Sequence, residues 1–248
     1  MSGGFTGRRA VVTGAGHGIG EAIARRLASG GADVVVIDRD QARLASAFSS
    51  GQVRSIVATL GTDDPVAVAE QVLLDGPVDL IVNNVGVSTG RTFLDEEPVG
   101  FGRALSANLH GPLFFTRRLV EALIGAERPG VVLFISSLHD TFVRLAPAYS
   151  IGKAGVAMMT KELAYELAPH RIRVNAISPG WIETAAPGEP RIAAEYAVRL
   201  IPAGRFGTPE DVAEMAAVLL DDAVARYVTG VNVPVDGGLS LHNWLMDG

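Results

Sequence analysis

Short apolar runs alternate with longer stretches of helical periodicity along most of this chain. Arg9–Thr13, Asp33–Ile37, Val53–Ala58, Val78–Val82, Val131–Ser136, Ile172–Ile177 and Val231–Val235 read as strands. The run Asp33-Val-Val-Val-Ile37 is apolar and β-branched after its first residue, without alternation. That is the pattern of a strand buried on both faces, as in a parallel sheet. Helical patterns occupy Ile19–Ser29, Pro65–Leu74, Val99–Ile124, Ala148–Ala168 and Pro209–Leu220. Thr208-Pro209-Glu210-Asp211 is a strong helix start: a capping hydroxyl, a proline in the first turn, then two acids near the positive end of the helix dipole. Strands alternating with helices require right-handed crossovers. The predicted architecture is α/β and doubly wound, a single parallel sheet with helices on both faces.

No repeat, low-complexity tract or linker divides the 248 residues, so one domain over 1–248 is expected. The least regular stretch, Thr184–Arg191, predicts a mobile loop, followed by a helical pattern near Ile192–Leu200. Composition narrows the chemistry. The hydrophobic share of 48% supports a large core, and the net charge of −6 offers no polyanion-binding surface. Basic residues form no stripe with aromatics, so nucleic acid is not an expected partner. The absence of Cys excludes disulfides, thiolate metal sites and cysteine nucleophiles. No His/Asp/Glu cluster has zinc-site spacing, so no metal is expected. No apolar run is long enough to span a membrane, and the first residues lack a signal-peptide pattern. The expectation is a soluble, cytoplasmic protein.

Three motifs carry chemistry. Thr13-Gly14-Ala15-Gly16-His17-Gly18-Ile19-Gly20 follows the first strand and opens a helix. Glycines there let the backbone turn sharply against a pyrophosphate, and the helix N-terminus offers free N–H groups. The spacing is G-x-x-x-G-x-G rather than G-x-G-x-x-G. Asp38 ends the second strand about 20 residues past this loop, where an acid accepts hydrogen bonds from an adenosine ribose and repels a 2′-phosphate. This favours NAD over NADP, although the neighbouring Arg39 could hold a phosphate. Tyr149 and Lys153 sit at i and i+4, on one face of a helix. A phenol titrates near ~10 in water, and a neighbouring cation favours its charged form. Such a pair can move a proton in alcohol–carbonyl interconversion.

With these residues in view, the chain resembles the short-chain dehydrogenase/reductase family over nearly its full length. Thr13-Gly14-x-x-x-Gly18-Ile19-Gly20 matches the family's cofactor loop. Asn83-Asn84-Val85-Gly86 is similar to its Asn-Asn-Ala-Gly motif, and Asn108 to its helix Asn. Ser136-Ser137 stands where the family has its Ser, and Tyr149-x-x-x-Lys153 matches its Tyr/Lys pair. Pro179-Gly180 and Val235-Asp236-Gly237-Gly238 match later motifs.

The resemblance implies a Rossmann fold with seven parallel strands and hydride transfer between a nicotinamide and a secondary alcohol or ketone. It implies catalysis by Asn108, Ser137, Tyr149 and Lys153. The implied cofactor contacts are Gly14, Gly16, His17, Gly18, Ile19, Asp38, Asn84, Gly86, Tyr149, Lys153, Pro179, Gly180, Ile182 and Thr184, with a substrate loop at about 184–206. It also implies a homotetramer that buries the apolar tail Gly238–Met246. The usual adenine-contacting Asp is absent from Ala58-Thr59-Leu60-Gly61. The family's Ser-to-Tyr spacing selects Ser136, whereas counting along the strand from Gly130 selects Ser137. Strand alternation fixes which side chain faces a site while loops absorb length changes, so Ser137 is preferred.

Ser88, His139, Asp140, Phe142, Arg144 and Trp181 fall on loops expected near the site. Their polarity suggests a sugar or polyol; Phe142, Leu145 and Trp181 could equally line an apolar pocket for a larger ketone. The rival classes are a non-catalytic dinucleotide-binding regulator and a nucleotide-sugar epimerase or dehydratase. The four-residue catalytic set argues against the first. The glycine spacing and the lack of a longer substrate domain argue against the second.

Overall fold

The computed structural model describes residues 4–48, 53–184 and 198–241. Seven parallel strands form one sheet: β1 (Arg9–Thr13), β2 (Asp33–Asp38), β3 (Val53–Val57), β4 (Leu80–Asn83), β5 (Gly130–Ile135), β6 (Ile172–Pro179) and β7 (Asn232–Val235). Their spatial order is β3-β2-β1-β4-β5-β6-β7. The direction of winding reverses between β1 and β4, and such switch points open a crevice at the C-terminal strand ends.

The helices are α1 (Gly18–Ser29), α2 (Gln41–Ala47), α3 (Pro65–Leu73), α4 (Pro98–Leu105), α5 (Gly111–Gly125), α6 (Pro147–Leu167), α7 (Pro209–Leu220) and the short α8 (Asp222–Ala225). They cover both faces because successive strand residues point to opposite sides. Val12, Val34, Val36 and Leu80 pack with Ile23 and Leu27 of α1 and Ala213 and Leu220 of α7. Val11, Val35, Ile37 and Ile81 pack with Val68 and Val72 of α3 and Phe115, Leu119 and Leu123 of α5. Each fully buried Leu or Phe in these layers contributes about 1.5–3 kcal/mol. Strands β4, β5 and β6 are buried at every position; β5 is an unbroken apolar run, whereas β4 also buries Asn83 and β6 buries Arg173, Asn175 and Ser178.

The differences from the sequence expectations have local causes. Strand β4 starts at Leu80 rather than Val78, although the Asp79 backbone already bonds both neighbours, donating to Arg9 O at 2.9 Å and accepting Val131 N–H at 2.8 Å; its carboxylate accepts the Arg9 N–H at 2.8 Å and Arg128 Nη2 at 2.6 Å. The helical pattern over 99–124 is continuous but not uniform. A widened π turn at Ser106–His110 separates α4 from α5. Helix α2 was not anticipated; Asp40 starts it by accepting the N–H groups of Ala42 and Arg43. The segment beyond Thr184, the helical pattern up to residue 197 and the tail beyond Leu241 lie outside the described residues.

Candidate active site

The C-terminal strand ends open into a cleft of about 1110 Å³. Its wall holds Gly14, His17, Gly18 and Ile19 from the glycine turn, with Asp38, Asn84, Gly86, Pro179, Gly180, Ile182 and Thr184 from the other strand ends. Ser136, Ser137, Tyr149 and Lys153 line the same space. Of the expected residues, Gly16 and Asn108 stand behind the wall.

The glycine turn has the shape a dinucleotide pyrophosphate requires. Gly14 and Gly18 have φ of +63° and +58°, and a Cβ on Gly20 would collide with the Gly14 carbonyl. Asn84 clamps this turn from the end of β4, its amide donating to Gly14 O at 2.9 Å. His17 caps α1 without a side-chain hydrogen bond, leaving first-turn N–H groups for an anion. Asp38 is buried against the turn, accepting the Gly16 N–H at 2.9 Å and the Asp40 N–H at 3.1 Å. Thr184 lies beside Gly18. A short parallel bridge from Ile182 to Gly207 anchors the segment that carries it.

At the other end, α6 presents Tyr149 and Lys153 on one face. Lys153 is 3% exposed; its Nζ donates to Ile135 O at 2.8 Å and lies 5.6 Å from the centre of the Tyr149 ring. Burial lowers the Lys153 ammonium to about 8, while the Asp140 carboxylate acts in the opposite direction. Oδ2 of Asp140 accepts Ser178 Oγ at 2.6 Å, Asn232 Nδ2 at 2.6 Å and Ser136 Oγ at 3.1 Å. Sequence reasoning placed Asp140 only on a loop near the site. The structure instead makes it a hub joining the ends of β5, β6 and β7, which spacing alone does not reveal.

The two serines differ in engagement. Ser136 Oγ also lies 3.2 Å from Lys153 O, so both of its neighbours are acceptors competing for one proton. Ser137 Oγ accepts the His139 N–H at 3.2 Å, which leaves its own proton for another acceptor. Both polar atoms of the Asn108 side chain engage one backbone residue, accepting Val87 N–H at 3.0 Å and donating to Val87 O at 2.8 Å. It sits in the π turn and pins the loop after β4, next to Gly86 and Lys153. Widened turns of this kind recur at functional sites.

The loop residues sort differently from expectation. His139, Arg144 and Trp181 line the cleft, joined by Val143 and Phe206, which the sequence did not single out. Phe142 and Leu145 do not. Phe142 closes a tight turn onto Leu138 O and is 47% exposed, and Leu145 has φ of +58° and is 72% exposed. Trp181 and Phe206, whose rings lie 6.0 Å apart, supply aromatic surface in the cleft instead. The strand-end segment Ala58-Thr59-Leu60-Gly61 walls the cleft without an acid. Among the described residues no cluster has the makings of a metal site, and no helix is long and apolar enough to cross a membrane.

Known proteins resemble this chain over nearly its full length. A family model described as Enoyl-(Acyl carrier protein) reductase matches residues 14–240. The chain is 37% identical to 3beta-hydroxysteroid dehydrogenase 1 of Eggerthella lenta, over 95% of both chains. It is 37% identical to L-xylulose reductase of Bos taurus, over 94% of this chain and 97% of the other. A crystal structure of 3-ketoacyl-(acyl-carrier-protein) reductase from Brucella melitensis complexed with NADH superposes with a TM-score of 0.88 at 35% identity, covering 95% of this chain and 99% of that one. The chain belongs to the short-chain dehydrogenase/reductase family. It is an oxidoreductase that interconverts alcohols and ketones with a nicotinamide cofactor.

Proposed function

We propose that this protein is an NAD-preferring dehydrogenase or ketoreductase, a single domain in which Tyr149 moves the proton. When bound, the dinucleotide supplies or accepts the hydride. In the reducing direction Tyr149 gives its phenolic proton to the substrate oxygen, and the Lys153 ammonium stabilises the charge left behind. Ser137 donates to the same oxygen and fixes its line of approach. Asn108 is a positioning residue, holding the loop that carries Gly86 against Lys153. Gly14, Gly18 and the α1 N-terminus would hold the pyrophosphate, Asp38 the adenosine ribose, and Ile182 and Thr184 the nicotinamide end.

The observation that carries this reading is the buried Lys153 beside the Tyr149 ring, in one cleft with the glycine turn. The preference for NAD rests on the buried Asp38 carboxylate, which a 2′-phosphate would meet as a like charge. Arg39 and Arg43 also line that end, and Arg43 is paired with Asp40 at 3.4 Å. The substrate class is a secondary alcohol or ketone of the sugar, polyol or secondary-metabolite kind. A cytoplasmic homotetramer accords with the family and with the exposed apolar residues of α6.

The test is an NADH/NAD absorbance screen against sugars, polyols, steroids and cyclic ketones, repeated with NADP. Turnover with a lower KM for NAD is expected. Tyr149→Phe should bind NADH normally and lose ~10²-fold or more of kcat. Near-normal turnover by Tyr149→Phe would refute the assignment, and a clearly lower KM for NADP would refute the cofactor preference.

A further inference from the structure

Arg144 is the cleft residue whose chemistry the proton transfer does not use. Its guanidinium carbon lies over the Tyr149 ring, 5.2 Å from the centroid. The guanidinium is held against an aromatic face by cation–π attraction and the residue is exposed, so its N–H donors remain available to a second partner. Among the described residues none of those donors has a carboxylate or carbonyl partner. The other arginine-lined part of the cleft, at the glycine turn, is balanced by Asp38 and Asp40.

Near Tyr149 the charged groups of the wall are Lys153, Arg144 and Glu183, with His139 beside them. Glu183 also faces a second pocket with Arg205 and Asp211. His139 stands 6.2 Å from the Tyr149 ring, and burial lowers its pKa, so it is mostly neutral. The backbone fixes this placement. Leu145, next to Arg144, takes a left-handed conformation uncommon for a side-chain-bearing residue, immediately before α6 begins at Pro147. A strained turn thus delivers a planar cation to the ring that is to act as proton donor.

We propose that Arg144 is a carboxylate-recognition site, which narrows the secondary alcohol or ketone above to one that bears a carboxylate, a short oxo acid or the matching hydroxy acid, in place of a neutral sugar or polyol. The reacting carbon would sit at Tyr149 and the carboxylate in the free fork of Arg144. A fork of parallel N–H donors matches the two oxygens of a carboxylate better than a lone hydroxyl. The carboxylate takes no part in the bond changes. In reduction the ketone carbon gains a hydride, its oxygen gains the Tyr149 proton, and the reduced nicotinamide is oxidised. This inference rests on the role given to Tyr149 above.

The experiment compares acetoacetate and levulinate with their methyl esters, under saturating NADH, for the wild type, Arg144→Gln and Arg144→Lys. The wild type should favour the acids. In Arg144→Gln the acid-to-ester ratio of kcat/KM should fall by about tenfold to a hundredfold, the scale of a hydrogen bond to a charged group. Arg144→Lys should recover part of that ratio. Calorimetric titration of levulinate into the NADH complex should show weaker binding by the Gln variant. A wild type with no preference for the acids overturns the proposal. So does an equal loss on acid and ester, which would mean that Arg144 acts on Tyr149 rather than on substrate. Turnover of esters alone would leave the oxidoreductase reading standing without the anion site. A protein that binds NADH and turns over neither would overturn the carboxylate site, while the broader panel of sugars, polyols, steroids and cyclic ketones decides the oxidoreductase reading separately.

Discussion

Lys153 shows how one residue ties stability to function. Its folded value of about 8 lies below the ordinary 10.5 because burial penalises the ammonium. Between those values the unfolded chain holds a proton that the folded chain has released, so this residue makes stability rise with pH across the window. Lys153→Met should abolish turnover yet remain folded. Urea unfolding of the two proteins at several pH values should show the wild type gaining on the variant from about pH 8 towards 10.5. A constant difference would show that Lys153 is not desolvated. The same titration bears on the reaction, since carbonyl reduction needs the cation and should slow above about pH 8. The pairing of Tyr149 and Lys153 was legible in the sequence because helical spacing alone aligns them. The Asp140 carboxylate that opposes the effect of burial on the lysine was not, because Asp140, Ser178 and Asn232 meet only when the end of β6 lies beside the start of β7.

Among the elements, α7 illustrates a start written in local chemistry. Thr208 Oγ1 accepts the Asp211 N–H at 3.3 Å, the Asp211 carboxylate accepts the Thr208 N–H at 2.8 Å, and Arg205 pairs with that carboxylate. Thr208→Ala should lower stability by ~1 kcal/mol, read as a urea midpoint shift without a change in slope. A shift near zero would mean that the Asp211–Arg205 pair holds the turn unaided. Strands β2, β4 and β5 were legible because buried parallel strands leave runs of apolar residues. Helix α2 was not, since it has seven residues and buries only Leu44. The π turn at Asn108 escaped for another reason: its extra residue shifts the backbone hydrogen bonds without breaking the apolar pattern. Counting along the strand selects Ser137 over Ser136, and near-normal turnover by Ser137→Ala would refute that choice.

For the whole molecule, the outer face of α6 carries Ile151, Met158 and Tyr165, 49%, 55% and 89% exposed at heptad spacing. Val99 on α4 and Phe93 and Leu94 before it are exposed as well. An apolar stripe of this kind is expected to be covered by another copy. Light scattering should give a tetramer for the wild type, and Met158→Glu with Tyr165→Glu should release smaller species. A monomeric wild type at assay concentration would remove the assembly from the picture. One consequence of the Asp140 hub reaches into biosynthesis. Asn232, one of the three donors to its Oδ2, belongs to the last strand of the sheet. A nascent polypeptide released before this strand is made therefore lacks a tether of the carboxylate that acts on Lys153, so this network closes only once the ribosome has nearly reached the end of the sheet.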